Sequence, residues 1–239
     1  MKKNNLILGT FLAITAILFI SCGASSSSDS PSTEKVEGST ESTESGGVVT
    51  IGTQVWTSKN LDVSTFRNGD VIPQVQDQNA WENLTTGAWC YYDNDASNGT
   101  KYGKLYNWYA VNDPRGLAPN GYHIPTAAEW TQLSDYLGGE SEAGTKMKST
   151  SGWVENGNGT NSSGFSGLPG GSRYNRGAFL NIDSSGYWWS SKEGDALYAW
   201  NRSLGYDYGG VGPTTVRRMG SLSVASGINL FDSFDNLII

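Results

Sequence analysis

One histidine, two cysteines and a scatter of carboxylates bound the chemistry open to this 239-residue chain. His123 lies in Gly121-Tyr122-His123-Ile124-Pro125, and no Gly-x-Ser-x-Gly elbow or His-Glu-x-x-His run accompanies it. A catalytic base needs a nucleophile and an orienting partner, so the expected role of His123 is structural, its ring bonded to a backbone group. Asp93-x-Asp95-x-Ser97 sets alternating oxygens like the opening of a calcium loop. Asn98 occupies the place of the required Gly and Lys104 that of the closing Glu, so a polar turn is expected instead. Asp62, Asp70, Asp183 and Asp195 are scattered and define no carboxylate dyad. No metal or cofactor is expected, and the chain is read as non-enzymatic. The residues best suited to ligand binding are Trp188-Trp189 and Tyr206-x-Tyr208, with Arg173, Tyr174, Asn175 and Arg176 as a polar rim. Adjacent strand residues point to opposite faces, so one of Trp188 and Trp189 is expected in the core and the other nearer the surface. An exposed ring beside Gly, Asn and Asp suits stacking on a sugar or another flat apolar face. The alternative is that these rings simply fill the core of a loop-rich domain.

The elements that must position these residues are legible in part. Val48–Ile51 and Gln54–Trp56 read as short strands around a Gly52 turn, and Arg67-Asn68-Gly69-Asp70 reads as a type I′ hairpin. Gly87–Tyr92 and Tyr102–Val111 read as buried strands, with Asp93–Gly99 as a polar loop between them. One helix is well signed. Thr126 caps it, Glu129 completes a capping box, Trp130, Leu133 and Leu137 share a face, and Gly138-Gly139 ends it. A weaker helix is expected over Ser141–Lys148. Beyond it, Gly-rich loops alternate with short aromatic strands. All nine Trp and all twelve Tyr follow residue 55, which marks the rest of the chain as the globular part. The expected fold class is α+β. It is a single domain over 48–239 with short antiparallel strands, one or two helices and long Gly-rich loops, preceded by a disordered tether.

The first residues read as an address. Met1-Lys2-Lys3 is basic, and Leu6–Ile20 is apolar but shorter than the roughly 20 residues a spanning helix needs. Ser21-Cys22 at its end resembles the lipobox of bacterial lipoproteins. That resemblance implies a signal peptide over 1–21, lipidation of Cys22, and anchoring to the cell envelope at the outer membrane. Acyl chains give about 0.8 kcal/mol per buried CH₂. Gly23–Gly47 holds twelve Ser or Thr among 25 residues, five acids and one Lys. Such a segment cannot bury enough apolar surface to offset its ordering entropy, so residues 22–47 are read as a flexible linker. It would span roughly 25–30 Å on the Gly/Ser chain estimate. The single acid among the first residues after Cys22 leaves both the surface and the periplasmic face open. The chain is acidic, net −7, with 16% charged residues. It lacks the clustered cations that nucleic acid requires.

Six blocks carry a wider resemblance: Gln54–Leu61 (QVWTSKNL), Tyr102–Val111 (YGKLYNWYAV), Leu117–Trp130 (LAPNGYHIPTAAEW), Tyr136–Gly139 (YLGG), Ser163–Arg173 (SGFSGLPGGSR) and Gly186–Ser191 (GYWWSS). In this order they look like the Fibrobacter succinogenes major paralogous domain, found in bacterial lipoproteins and secreted proteins. The Pro-Thr-x-x-Glu-Trp helix and the later Gly-Gly-x-Arg segment also look like the C-type-lectin-like fold of formylglycine-generating enzymes. The resemblance implies surface display and recognition of a polysaccharide or protein ligand, with no established catalysis. The calcium and sugar tripeptides of C-type lectins and the redox Cys pair of those enzymes are absent. Family members usually end in a Cys where this chain has Ser226, followed here by an atypical tail, Gly227–Ile239. The resemblance implies that the missing Cys would pair with Cys90, which leaves Cys90 a free, buried thiol. The leading expectation is a lipid-anchored protein with a non-catalytic binding module. The alternatives are a structural surface protein and an enzyme acting on polysaccharide.

Overall fold

The structure is a computed structural model and describes residues 47–195, 198–217, 223–224 and 231–232. These fall in the compact unit Thr43–Ile239, separate from Met1–Ser42. The signal segment, Cys22, the linker through residue 46, Ser226 and the tail apart from 231–232 lie outside the described residues.

The fold is α+β, built from small antiparallel sheets and, among the described residues, five short α-helices rather than the one or two expected, the additional ones being single turns or short runs set by side-chain caps. β1 (Val48–Ile51) and β2 (Gln54–Thr57) pair around Gly52, which takes a φ of 64° that the turn requires. Their sheet is completed by β12 (Phe231–Asp232), inserted between β2 and β5 (Tyr122–His123). β8 (Ser185–Glu193), β9 (Tyr198–Gly205) and β10 (Gly212–Arg217) form a meander in the order β10-β9-β8. β6 (Gly170–Arg173) lies between β7 (Phe179–Ile182) and β11 (Ser223–Val224), and β3 (Trp89–Cys90) pairs with β4 (Leu105–Tyr106).

The expected capping box is present. Thr126 accepts the Glu129 N–H while the Glu129 carboxylate accepts the Thr126 N–H at 2.7 Å, opening α4 (Ala127–Tyr136). Gly138 and Gly139, both at positive φ, turn the chain into α5 (Glu140–Met147). Trp130, Leu133 and Leu137 lie buried on one face, as their spacing predicts.

Three local expectations are corrected. Only Gly69 of the Asn68-Gly69 pair has positive φ, and the Gly69 N–H donates to the Phe66 carbonyl while Phe66 N–H donates to Asp70. This is a three-residue loop with a glycine bulge, not a type I′ turn. Tyr102–Val111 is not one strand. The buried Asn107 side chain accepts the Ala88 and Ala110 N–H groups, each at 3.0 Å, which ends β4 and caps a short helix, α3 (Trp108–Val111). The polar loop Asp93–Gly99 folds partly into α2 (Ala96–Tyr102), capped by Asp95. Its Gly99 packs so tightly that a Cβ there would stand 2.3 Å from the Tyr91 ring. Packing outweighs the poor helix propensity of Ser, Asn, Gly and Thr.

β8 divides the interior. Trp188 lies in a cluster with Trp56, Trp130, Trp153, Phe165 and Leu204; Trp189 lies in another with Trp89, Tyr106, Trp108 and Ala199. Ring centroids stand 5.7 Å apart for Phe165–Trp188 and 5.3 Å for Trp108–Trp189, the spacing of favourable aromatic pairs. Each indole N–H has a partner: Trp188 donates to the Asn60 side-chain oxygen at 3.2 Å, Trp189 to the Tyr106 carbonyl at 3.0 Å. A third cluster gathers Trp81, Cys90, Tyr92 and Leu105 below β3 and β4. α1 (Gln78–Glu82) supplies its Trp81.

Candidate functional site

A cleft of about 240 Å³ opens between the start of α4, the start of α5 and the β8–β9–β10 meander. Its walls include Thr131, Glu140, Ser190, Lys192, Trp200, Asn201 and Arg202. The opening has a backbone cause. Trp189 pairs with Asn201 and Glu193 with Ala199, so Ser190, Ser191 and Lys192 on β8 stand opposite Trp200 alone. This is a bulge, a device that bends a strand and re-aims its side chains beside functional sites. The freed Ser191 N–H donates to the Pro125 carbonyl at 2.8 Å instead of to β9.

The polar groups of the cleft are held from behind. Arg202 is 5% exposed. It donates to the Thr131 hydroxyl at 3.0 Å and stands 3.4 Å from the Glu140 carboxylate. Burial lowers its guanidinium from the ordinary value, while Glu140 and Asp135 act in the opposite direction. Asn201, between Trp200 and Arg202, turns its side chain to the other face of β9, where its carbonyl oxygen accepts the hydroxyl of its cross-strand partner Thr214 at 2.5 Å. Lys192 stands exposed at the rim, and Trp200 is half-buried. Sequence reading missed this constellation. Its signal was an Asn-Arg pair set between Ala199 and Leu204 in a strand otherwise destined for the core.

The residues singled out from sequence do not converge. Trp188 and Trp189 point to opposite faces, but each face has its own core, and both are fully buried; the expectation that one lies nearer the surface is corrected. Arg173 is buried too, so it is no surface rim. Its guanidinium lies over the Trp81 ring at 4.3 Å and donates to the carbonyls of Val75, Gln76 and Gly177, clamping the chain ahead of α1. Tyr206 is partly buried against the Trp188 cluster, and only Tyr208 is open, at 52% exposure. Tyr174 is exposed on a separate loop. Neither tyrosine lines the cleft.

The remaining candidates are engaged structurally. His123 Nε2 lies 3.0 Å from both Glu129 carboxylate oxygens. Burial alone would raise the Glu129 carboxyl; bonds from His123 and Thr126 outweigh it and hold the group below its ordinary value. Asp95 is spent on the α2 cap, and Asp93 takes a φ of 51° in the preceding turn. Asp62 pairs with Lys104, Asp70 and Asp113 with Arg115, and Asp183 with Lys101 and the Tyr102 hydroxyl. Asp195 accepts the Tyr198 N–H. No group of three or more His, Cys, Asp or Glu is arranged to hold a metal among the described residues. Cys90 is a free, buried thiol, pushed up to about 11 mainly by burial.

Comparison with known families matches residues 49–226 to the model of the Fibrobacter succinogenes major domain. Comparison with curated proteins and with solved structures found no match.

Proposed function

The chain belongs to the Fibrobacter succinogenes major domain family, and on that premise we propose that it is a lipid-anchored cell-envelope protein whose domain binds a ligand without catalysis. Cys22 carries the lipid at the outer membrane, and Gly23–Gly47 stands the domain off the bilayer. The domain is a C-type-lectin-like variant of the α+β class. Its ligand seat is the cleft beside α4, and the ligand class is polysaccharide, with a protein partner as the second possibility. The observation that carries this reading is the placing of half-buried Trp200 and buried Arg202, two apart on one face of β9, in one concavity opened by a bulge. A few convergent polar groups around an aromatic surface are the usual build of a binding site. The cleft holds one carboxylate, Glu140, already turned to Arg202, which supports binding over acid–base hydrolysis.

Two measurements test the proposal. Metabolic labelling with an alkynyl palmitate should tag the protein, and Cys22→Ala should remove both the tag and the membrane association. A Cys22→Ala protein still in the membrane fraction would defeat the anchoring claim. A glycan array should give hits that Trp200→Ala abolishes; hits that survive this change would move the ligand away from the cleft.

A further inference from the structure

One carboxylate in the wall of the cleft is left open, and it identifies a ligand chemistry. Resting on the reading that this cleft is the ligand seat, we propose that it selects a neutral sugar ring, stacked on Trp200, whose adjacent hydroxyls donate to the Glu140 carboxylate.

The neighbouring polar groups are used within the protein. The Thr131 hydroxyl accepts from Arg202 at 3.0 Å and donates to the Ala127 carbonyl at 3.0 Å. Ser190 is 2% exposed and accepts the Lys192 N–H at 3.2 Å. The Arg202 side chain, 6% exposed, lies behind these groups. Glu140 differs. Its side chain is 48% exposed, and the carboxylate's one polar contact among the described residues is to Arg202, at 3.4 Å. A carboxylate offers about four acceptor sites and no donor, so most of its capacity is free. The residue is nevertheless held in place, at the start of α5, where its backbone carbonyl accepts the Val211 N–H at 2.7 Å. A carboxylate on a fixed backbone, with two oxygens side by side, suits two neighbouring O–H donors.

Charge then favours a neutral donor. An acid seated on Glu140 would set two acceptor-only groups of like charge together. A cation seated there would meet Arg202 behind the same carboxylate. A hydroxyl serves the carboxylate without bringing charge. Shape makes the donor a ring. Trp200 and Arg202 stand two apart on one face of β9, so the indole borders the hollow that Glu140 lines. Pro213, opposite Arg202 on β10, and Ala127 of α4 add apolar lining. A pyranose joins an apolar C–H face to a hydroxyl edge, the complement of an aromatic surface beside a carboxylate. The cleft, about 240 Å³, is smaller than the roughly 300–1,000 Å³ of pockets for drug-sized molecules, so it seats one ring of a chain.

The test uses the full-length protein titrated with cellotriose, with its permethyl ether, with the triuronate made by oxidising each C6, and with the glucosamine trimer. Cellotriose should bind, and the ether, which keeps the rings but has no O–H, should bind at least about tenfold more weakly. Glu140→Gln, at a half-exposed position whose backbone bond to Val211 is kept, should weaken cellotriose about tenfold and leave the ether unchanged. Trp200→Ala should remove binding of both. Triuronate or glucosamine trimer binding as tightly as cellotriose would overturn the selection of a neutral ring. No binding of cellotriose, or binding that Glu140→Gln leaves unchanged, would overturn the whole inference, while array hits lost in Trp200→Ala would keep the cleft as the seat. If Trp200→Ala leaves every array hit intact, the cleft reading and this inference fall together.

Discussion

Replacing Gly144 with Ala should destabilise the domain, although Ala favours helices. Gly144 lies buried inside α5, where Ala is intrinsically better by about 0.8–1 kcal/mol. The backbone of residues 209–210 passes directly over it. A Cβ on residue 144 would stand 2.0 Å from the Gly210 carbonyl oxygen and 2.7 Å from that of Gly209. Both are backbone atoms, so the strand connection itself must move. That connection is fastened on each side, by Thr145 N–H donating to the Gly209 carbonyl and Val211 N–H donating to the Glu140 carbonyl, each at 2.7 Å. Forcing a methyl group into a packed interior costs about 1–3 kcal/mol. Loosening two hydrogen bonds adds about 1 kcal/mol each. Against the helix gain, the net loss is about 2–4 kcal/mol. For a domain of this size, each kcal/mol shifts the melting temperature by about 2–4 °C. A drop of about 4–16 °C is expected in a thermal melt followed by near-ultraviolet circular dichroism. An unchanged or raised midpoint would show that the 209–210 connection yields freely, and the close approach would then not constrain the fold.

Trp188→Ala and Trp189→Ala should each cost about 3–5 kcal/mol in urea unfolding, as buried indoles do, while half-buried Trp200→Ala costs clearly less; a larger loss at Trp200 would make it a core residue. Glu129 is held below its ordinary value in the folded state, so its contribution is fully present above the unfolded carboxyl value and is lost as pH falls through the folded one. Urea midpoints taken from neutral pH into the acid range should therefore fall less steeply for Glu129→Gln than for the parent, and parallel curves would count against the His123–Glu129 pair as a stabilising contact. Cys90, buried and with its thiol pushed up to about 11, should resist a maleimide at pH 8 in the folded protein and react at once in denaturant. Rapid labelling of the native state would place it at the surface.

Local signals with local causes were legible in the sequence. The Thr126–Glu129 box, the Gly138-Gly139 stop and the Gly52 hairpin each depend on neighbours within a few residues, and each stands where its residues put it. Alternation correctly sent Trp188 and Trp189 to opposite faces. What it could not convey is that both faces of β8 are covered, because the covering residues come from Trp56 and Trp130 on one side and Trp89 and Trp108 on the other. The same limit hid Arg173, whose guanidinium reaches the Val75 and Gln76 carbonyls about a hundred residues away. Asn107 broke the expected Tyr102–Val111 strand through two backbone groups, one of them distant in sequence. The cleft was hidden for a related reason. Trp200, Asn201 and Arg202 look like ordinary strand residues until the bulge in β8 and the flank of α4 make a hollow of them.

The family match stops at residue 226, yet the strand that closes the first sheet comes later, at Phe231–Asp232. Among the described residues, β2 and β5 are joined only through it. A chain trimmed to the family boundary would therefore bare two raw edges at once, one on each side of the vacated lane. Raw edges recruit further backbone, including that of identical molecules. Phe231–Asp232 thus works as a selvedge, keeping the cloth from unravelling into its neighbours.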